Sequence, residues 1–475
     1  MTSRTLRRAA RMALAALITL ASFTSTGLVT RAARAETPSV AGAALPAIEK
    51  TRLGNGLEVI LHVDHRTPIV SVNVWYHVGS KDEPAGKNGF AHLFEHIMFQ
   101  GSKHVPEDAY FLYLERVGAT DVNGTTNPDR TNYYETVPKN RLSLPLWLES
   151  DRMGFLLSHV DELTFAGQRD VVKNERRQNY ENAPYGLVGQ FIHERLYPQG
   201  HPYRLLTIGT PQDLDAASLE DVKSFFRTWY SPNNATLVIS GDIDTKKTLE
   251  LVEKYFGPIP SGSIPARSVP APVVLDKEAR LDVVAGVELP RVYLTWPTPA
   301  MFSPGDGELD LVAHILSSGK TSRLYKKLVY DLQIAQDVSA YQSSGQLGST
   351  FEIVATAQPG HTAQEMLKAI DEELDTLRSG GVKDAELARA KTSVLSALTF
   401  QLEKNANRAD QINAYNQYTG DPNYLPKDIA RYEGATGNAL REAARRHLPP
   451  DKRIVTLVTP EKGAPVAGRL RGGAR

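Results

Sequence analysis

Apolar and polar residues alternate along Ile69-Val-Ser-Val-Asn-Val-Trp-Tyr-His77, and a shorter apolar run from Glu58 to Val63 follows the turn signal Asn55-Gly56. Period two beside a tight turn predicts paired strands. Thr131 to Val137 and Ala235 to Gly241 predict two more. Between these runs the apolar spacing changes to three and four residues, which predicts helices over 89–99, 106–117, 142–158, 165–181 and 219–229. Helices mixed with antiparallel strands define an α+β fold class. From Gly257 to Val274, Pro, Gly and Ser displace both periods, so 258–274 reads as a linker between domains at 47–257 and 275–462. Beyond it, strands are expected at 291–296 and 350–357, and helices at 307–317, 361–379 and 383–403. The order of elements recurs. A shift of 218 residues sets Gly89-Phe-Ala-His-Leu-Phe-Glu-His96 over Gly307-Glu-Leu-Asp-Leu-Val-Ala-His314, so the two domains read as copies of one fold.

Composition changes this picture mainly at the ends. The 475 residues carry 54 Lys and Arg against 54 Asp and Glu, and no Cys. Disulfides, thiolate metal sites and Cys nucleophiles are therefore excluded, and any metal must sit on His and carboxylates. Residues 1–35 hold six arginines and no acidic residue, with an apolar run from Met12 to Val29 and the small-x-small triplet Ala33-Arg34-Ala35. This pattern predicts a secretory signal peptide cut after Ala35 and an exported, periplasmic product. Ser22, Thr24, Ser25 and Thr26 dilute the apolar run, so no stable membrane anchor is expected. Removal of the leader leaves 48 basic against 54 acidic residues, a net charge of −6, which gives no basic footprint for nucleic acid. The Gly- and Arg-rich end, 463–475, reads as a disordered tail.

The candidate chemistry lies inside the helix expected at 89–99. In His92-Leu-Phe-Glu-His96 the two imidazoles are four residues apart on one helical face, close enough to share an ion at about 2.0–2.1 Å. Glu95 is within reach of a water on that ion and is the candidate catalytic base. H-x-x-E-H is the inverted zinc-peptidase motif. A third ligand must come from another helix, and Gln168-Arg-Asp-Val-Val-Lys-Asn-Glu175 offers Asp170 and Glu175. Spacing does not choose between them.

The segment from Gly79 to Gly101 around this motif, together with Tyr230-Ser-Pro-Asn-Asn-Ala-Thr-Leu-Val-Ile-Ser-Gly241, resembles the pitrilysin family of zinc peptidases. The resemblance extends over most of 47–460 and is strongest in the first half. It implies Zn2+ held by His92, His96 and Glu175, because Val172-Lys-Asn-Glu175 matches the family's third-ligand context. It also implies peptide binding as an added strand beside Asn123, Gly124 and Thr125, where the Asn-Gly dipeptide by itself would favour a turn. Family members often carry a second acidic residue two turns before the ligand Glu, and here Gln168 occupies that place.

Under the 218-residue shift, His92, Glu95 and Glu175 fall on Asp310, Ala313 and Ser393, so the second domain is expected to be inactive. The inert half of family members usually supplies an Arg and, seven residues later, a Tyr that grip the peptide; the matching places hold Val329 and Gln336. Arg323 and Tyr330 are also seven apart but six residues too early, and are assigned to packing and surface charge. A heterodimer is expected, in which a same-fold partner chain supplies the Arg/Tyr pair, with a homodimer as the alternative. The expected function is a zinc metalloendopeptidase acting on unfolded peptides. The competing readings are a non-catalytic scaffold or assembly subunit of the same fold and a metal-dependent small-molecule hydrolase.

Overall fold

The computed structural model describes residues 48–472, so the expected leader and its cleavage site lie outside the described residues. The first half runs β1 (Ile48–Arg52), β2 (Glu58–Val63), β3 (Ile69–Tyr76), α1 (Phe90–Ile97), α2 (Ala109–Arg116), β4 (Thr120–Thr126), β5 (Thr131–Pro138) and α3 (Ser143–Phe155). It continues through α4 (Glu162–Arg176), α5 (Val188–Leu196), α6 (Pro211–Asp215), α7 (Leu219–Trp229), β6 (Ala235–Gly241) and α8 (Thr245–Phe256). The second half runs β7 (Ala279–Ala285), β8 (Arg291–Thr298), α9 (Asp306–Ser317), β9 (Ala335–Ser343), β10 (Ser349–Ala357) and α10 (Ala363–Gly380). Then come α11 (Asp384–Gln401), α12 (Asn405–Thr419), α13 (Leu425–Gly434), α14 (Gly437–His447), β11 (Ile454–Pro460) and β12 (Arg469–Leu470).

Each half builds a six-stranded sheet, in the orders β1-β2-β6-β3-β5-β4 and β12-β7-β11-β8-β10-β9. The orders correspond place for place: the second and third strands run parallel and every other neighbouring pair is antiparallel. The repeat is thus one of topology. Its only departure is that the first strand of one sheet precedes the rest, whereas its counterpart β12 comes last.

On β3 the apolar set Val70, Val72, Val74 and Tyr76 faces the first core, as the alternation requires. The polar set does not face water. Asn73 and Trp75 donate to the Asp410 carboxylate on α12, at 3.1 and 2.9 Å, and Asn413 donates to the Asn73 carbonyl. An element of the second half therefore covers the outer face of the first sheet, where Ala409 and Ile412 pack on Ile60 and Val238. The converse also holds: Val188, Ile192 and Leu196 of α5 pack on Leu281, Val283 and Ile454 of the second sheet. The 218-residue shift carries α5 onto positions within α12, so the halves exchange equivalent helices.

Between Phe256 and Ala279 no regular element forms. The segment is nonetheless pinned, since Arg267 pairs with Asp82 at 2.7 Å and lies over the Trp229 ring. The expectation of a disordered tail over 463–475 is corrected for 463–472, while 473–475 lie outside the described residues. Arg469–Leu470 pairs with Val284 and Val283, the Val466 and Ala467 carbonyls accept from Tyr185 and Leu187 N–H, and Ala467 is buried. Small residues allow this close backbone approach: a Cβ at Gly286 would meet the Ala464 carbonyl oxygen at 2.3 Å. Backbone hydrogen bonding, which composition does not report, orders the segment. Among the described residues no helix is long and apolar enough to cross a membrane.

Candidate metal centre and the adjoining edge strand

Helix α1 starts at Gly89, whose φ of 98° and approach to Gly209 admit no side chain: a Cβ would lie 2.9 Å from the Gly209 Cα. The Gly89 and Ala91 N–H groups donate to the buried Glu83 carboxyl at 3.1 and 2.9 Å. Burial pushes that carboxyl up to about 8 against the pull of these donors. Phe90, Leu93, Phe94 and Ile97 face the core, with Phe94 against Phe225, Phe226 and Tyr230. This leaves His92, Glu95 and His96 on the opposite face, towards α4.

Asp161 caps α4 by accepting from the Thr164 N–H at 2.9 Å. Phe165, Val172 and Arg176 are its buried residues, and Arg176 donates to the Gly209 carbonyl at 2.6 Å, tying both helices to one loop. Glu175 consequently reaches the histidines. Its Oε2 lies 3.6 Å from His92 Nε2 and 3.4 Å from His96 Nε2. Ligand atoms about 2.0–2.1 Å from a tetrahedral ion are about 3.3 Å apart, so these separations fit a divalent metal. Among the described residues this is the only set of three or more His, Cys, Asp or Glu with donor atoms within 4.8 Å of one another. Burial, reinforced by His96, pushes His92 down to about 4, and burial also lowers His96 against the attraction of Glu175. Both shifts favour the neutral imidazole, the form that binds a metal. Asp170 is exposed and outside the set, and Gln168 is half-buried on α4.

Glu95 adjoins this set from α1. Its Oε2 accepts from the Thr126 hydroxyl at 2.6 Å. Burial raises its pKa, while the Thr126 bond and the Arg130 charge oppose the rise.

Asn123, Gly124 and Thr125 form the middle of β4, the edge strand of the first sheet, so the Asn-Gly pair is extended and not a turn. Asn123 Oδ1 accepts from the Gly124 N–H at 2.9 Å, and the Thr125 hydroxyl donates to Asn132 at 2.6 Å. A Cβ on Gly124 would lie 3.1 Å from Glu95 Cγ, Phe99 Cε2 and Tyr133 Cδ1. The edge strand and Glu95 are thus in contact through Gly124 and Thr126. Thr126 closes the Asn-Gly-Thr-Thr motif that carries the family resemblance here, but only Asn123, Gly124 and Thr125 were expected to bind peptide and no role was expected of Thr126.

In the second half Asp310 and Ala313 lie on α9 and Ser393 on α11. The Tyr432 hydroxyl donates to Asp310 at 2.8 Å, and burial, with Asp306 nearby, pushes Asp310 up to about 7. Val329 packs against the second core and Gln336 is exposed on β9. Arg323 is fully engaged, with two hydrogen bonds to Glu386 at 2.9 and 2.6 Å and one to the Gly381 carbonyl at 2.9 Å. Tyr330 is 72% exposed.

Comparison with known proteins gives the family. Residues 58–208 match the model for Insulinase (Peptidase family M16), and 216–394 match the Peptidase M16 inactive domain. The chain is 30% identical over 371 residues to the zinc protease PqqE of Helicobacter pylori, covering 77% of this chain and 82% of that protein. The crystal structure of a protease from Helicobacter pylori superposes with a TM-score of 0.81 at 28% identity, covering 88% of this chain and all of the other. The periplasmic protease PqqL from Escherichia coli shares the fold, with a TM-score of 0.71 at 19% identity over 88% of this chain and 48% of PqqL. The chain belongs to the M16 family of insulinase- and pitrilysin-type peptidases, with two M16-like domains. That the second matched domain is the inactive type agrees with the lack of a ligand set around Asp310.

Proposed function

We propose that this chain is a zinc-dependent endopeptidase that cuts extended peptides. The observation carrying the proposal is the convergence of His92, His96 and Glu175 beside Glu95, directly against an exposed edge strand. Zinc held by the three ligands would supply a Lewis acid for the scissile carbonyl and acidify a water. The unpaired backbone groups of β4 hold the substrate main chain, which must be unfolded to pair as a strand. Glu95 then accepts the proton of the attacking water and returns it to the leaving amine.

Two features extend the reading. The Arg-rich leader supports export, and PqqL is described as a periplasmic protease, so the periplasm is the proposed location. With Val329 and Gln336 at the gripping positions and Arg323 held by Glu386, the proposed working unit is a heterodimer whose same-fold partner supplies the Arg and Tyr. To test the activity, the mature chain, alone and with such a partner, is offered unfolded peptides and small esters. Chelator-sensitive peptide cleavage without ester turnover is expected. Peptide binding with no cleavage in any combination would support the scaffold reading, and efficient ester turnover the small-molecule reading.

A further inference from the structure

We propose that Thr126 is a positioning residue for the base, and that it couples the peptide-binding strand to Glu95. The inference rests on the peptidase reading above. Residues 124 and 126 are two apart on β4 and so point to the same face, the one turned to α1. Both meet Glu95. The Thr126 hydroxyl donates to Oε2 at 2.6 Å, fixing the head of the side chain, and Gly124 leaves room for its Cγ. The fit at 124 is steric, since φ there is not in the left-handed region and a Cβ would press on the Glu95, Phe99 and Tyr133 side chains.

Oε2 is occupied by Thr126, which leaves Oε1 as the oxygen available to take a proton. A carboxylate with free rotation would divide its time among orientations; one held by a hydroxyl on the substrate strand presents one oxygen in one place. Thr126 itself touches no reacting atom. Its own backbone is paired with Thr131 on β5, so the hydroxyl is carried on a fixed strand and not on a mobile loop.

The test compares Thr126→Val, which keeps shape and removes the donor, with Thr126→Ser, which keeps the donor. In crystal structures of the zinc-loaded proteins, Glu95 is expected to keep its orientation in the Ser variant and lose it in the Val variant. Kinetically, Thr126→Val is expected to lower kcat about 10- to 100-fold with KM within about 3-fold, Ser to restore most of it, and zinc content to be equal in all. On a Glu95→Gln background Thr126→Val should add no further loss. An unmoved Glu95 in Thr126→Val overturns the proposal whether or not the wild type turns over peptide. A rise in KM at constant kcat also overturns it, assigning Thr126 to peptide holding instead. Absence of turnover in the wild type, with Glu95 displaced only in the Val variant, would count against the peptidase reading and leave the positioning role standing.

Discussion

Exchange of α5 and α12 makes a prediction that a model of two separate beads on a linker does not. Ile412 belongs to the second half of the sequence, yet its fully buried side chain lies on Ile60 and Val238 of the first sheet. Ile412→Ala removes three carbons, worth about 2.4 kcal/mol at roughly 0.8 kcal/mol per buried methylene. A residual void of roughly 60 Å3 would add about 1.4 kcal/mol at about 24 cal/mol per Å3, for a loss of about 3–4 kcal/mol. Urea unfolding measures the total, and hydrogen exchange with peptide-level readout locates it. Faster exchange is expected in β2 and β6, some 170 to 350 residues away in sequence. The counterpart Ile192→Ala on α5 should loosen β7 and β11 instead. A loss below about 1 kcal/mol for Ile412→Ala, or loosening confined to the second half, would refute the exchange as a source of stability.

Glu175→Gln should weaken zinc binding far more than Asp170→Asn, because only Glu175 lies with the histidines; competitive chelator titration of both variants checks this. Glu58 is half-buried, but hydrogen bonds from Asn416, Arg52 and Lys50 outweigh its desolvation and lower it from its ordinary 4.5 to about 2. It therefore contributes stability, on the order of 1 kcal/mol after solvent screening of its exposed partners, that is present above pH 4.5 and lost as pH falls towards 2; Glu58→Gln should flatten that part of an acid-unfolding curve. Arg323→Ala should lower stability, by leaving Glu386 unpaired, with little effect on turnover, whereas Val329→Arg plus Gln336→Tyr should raise the activity of the isolated chain. Full activity of the isolated chain, abolished by Arg323→Ala, would remove the case for a heterodimer.

The metal set was legible because it obeys local rules: four-residue spacing fixes the two histidines, and α1 and α4 carry apolar faces that the sequence displays. The choice of Glu175 over Asp170 was not a local matter, since both are helical and it is the seating of α4 on α1 that brings Glu175 to the histidines. The strands read from alternation were found, but β4, Thr120–Thr126, has almost no apolar pattern because its outer edge is unpaired and its inner contacts are made by Gly124 and Thr126. The polar residues of β3 meet α12, an element more than 300 residues later, which the alternation by itself does not show. Such long-range polar interfaces leave no periodic trace. The end of the chain was misread for the same reason: its small residues signal freedom in isolation, and close packing once β7 and α5 are beside them.

The most direct test of the central claim is the zinc content of the purified mature chain and three variants, measured alongside peptide turnover. The wild type and Glu95→Gln are expected to hold one zinc per chain, while His92→Ala and His96→Ala lose it. Glu95→Gln should lose about 10²- to 10⁴-fold in turnover, the contribution of a general base. A wild type that binds no zinc, or zinc unaffected by removal of either histidine, would contradict the assignment.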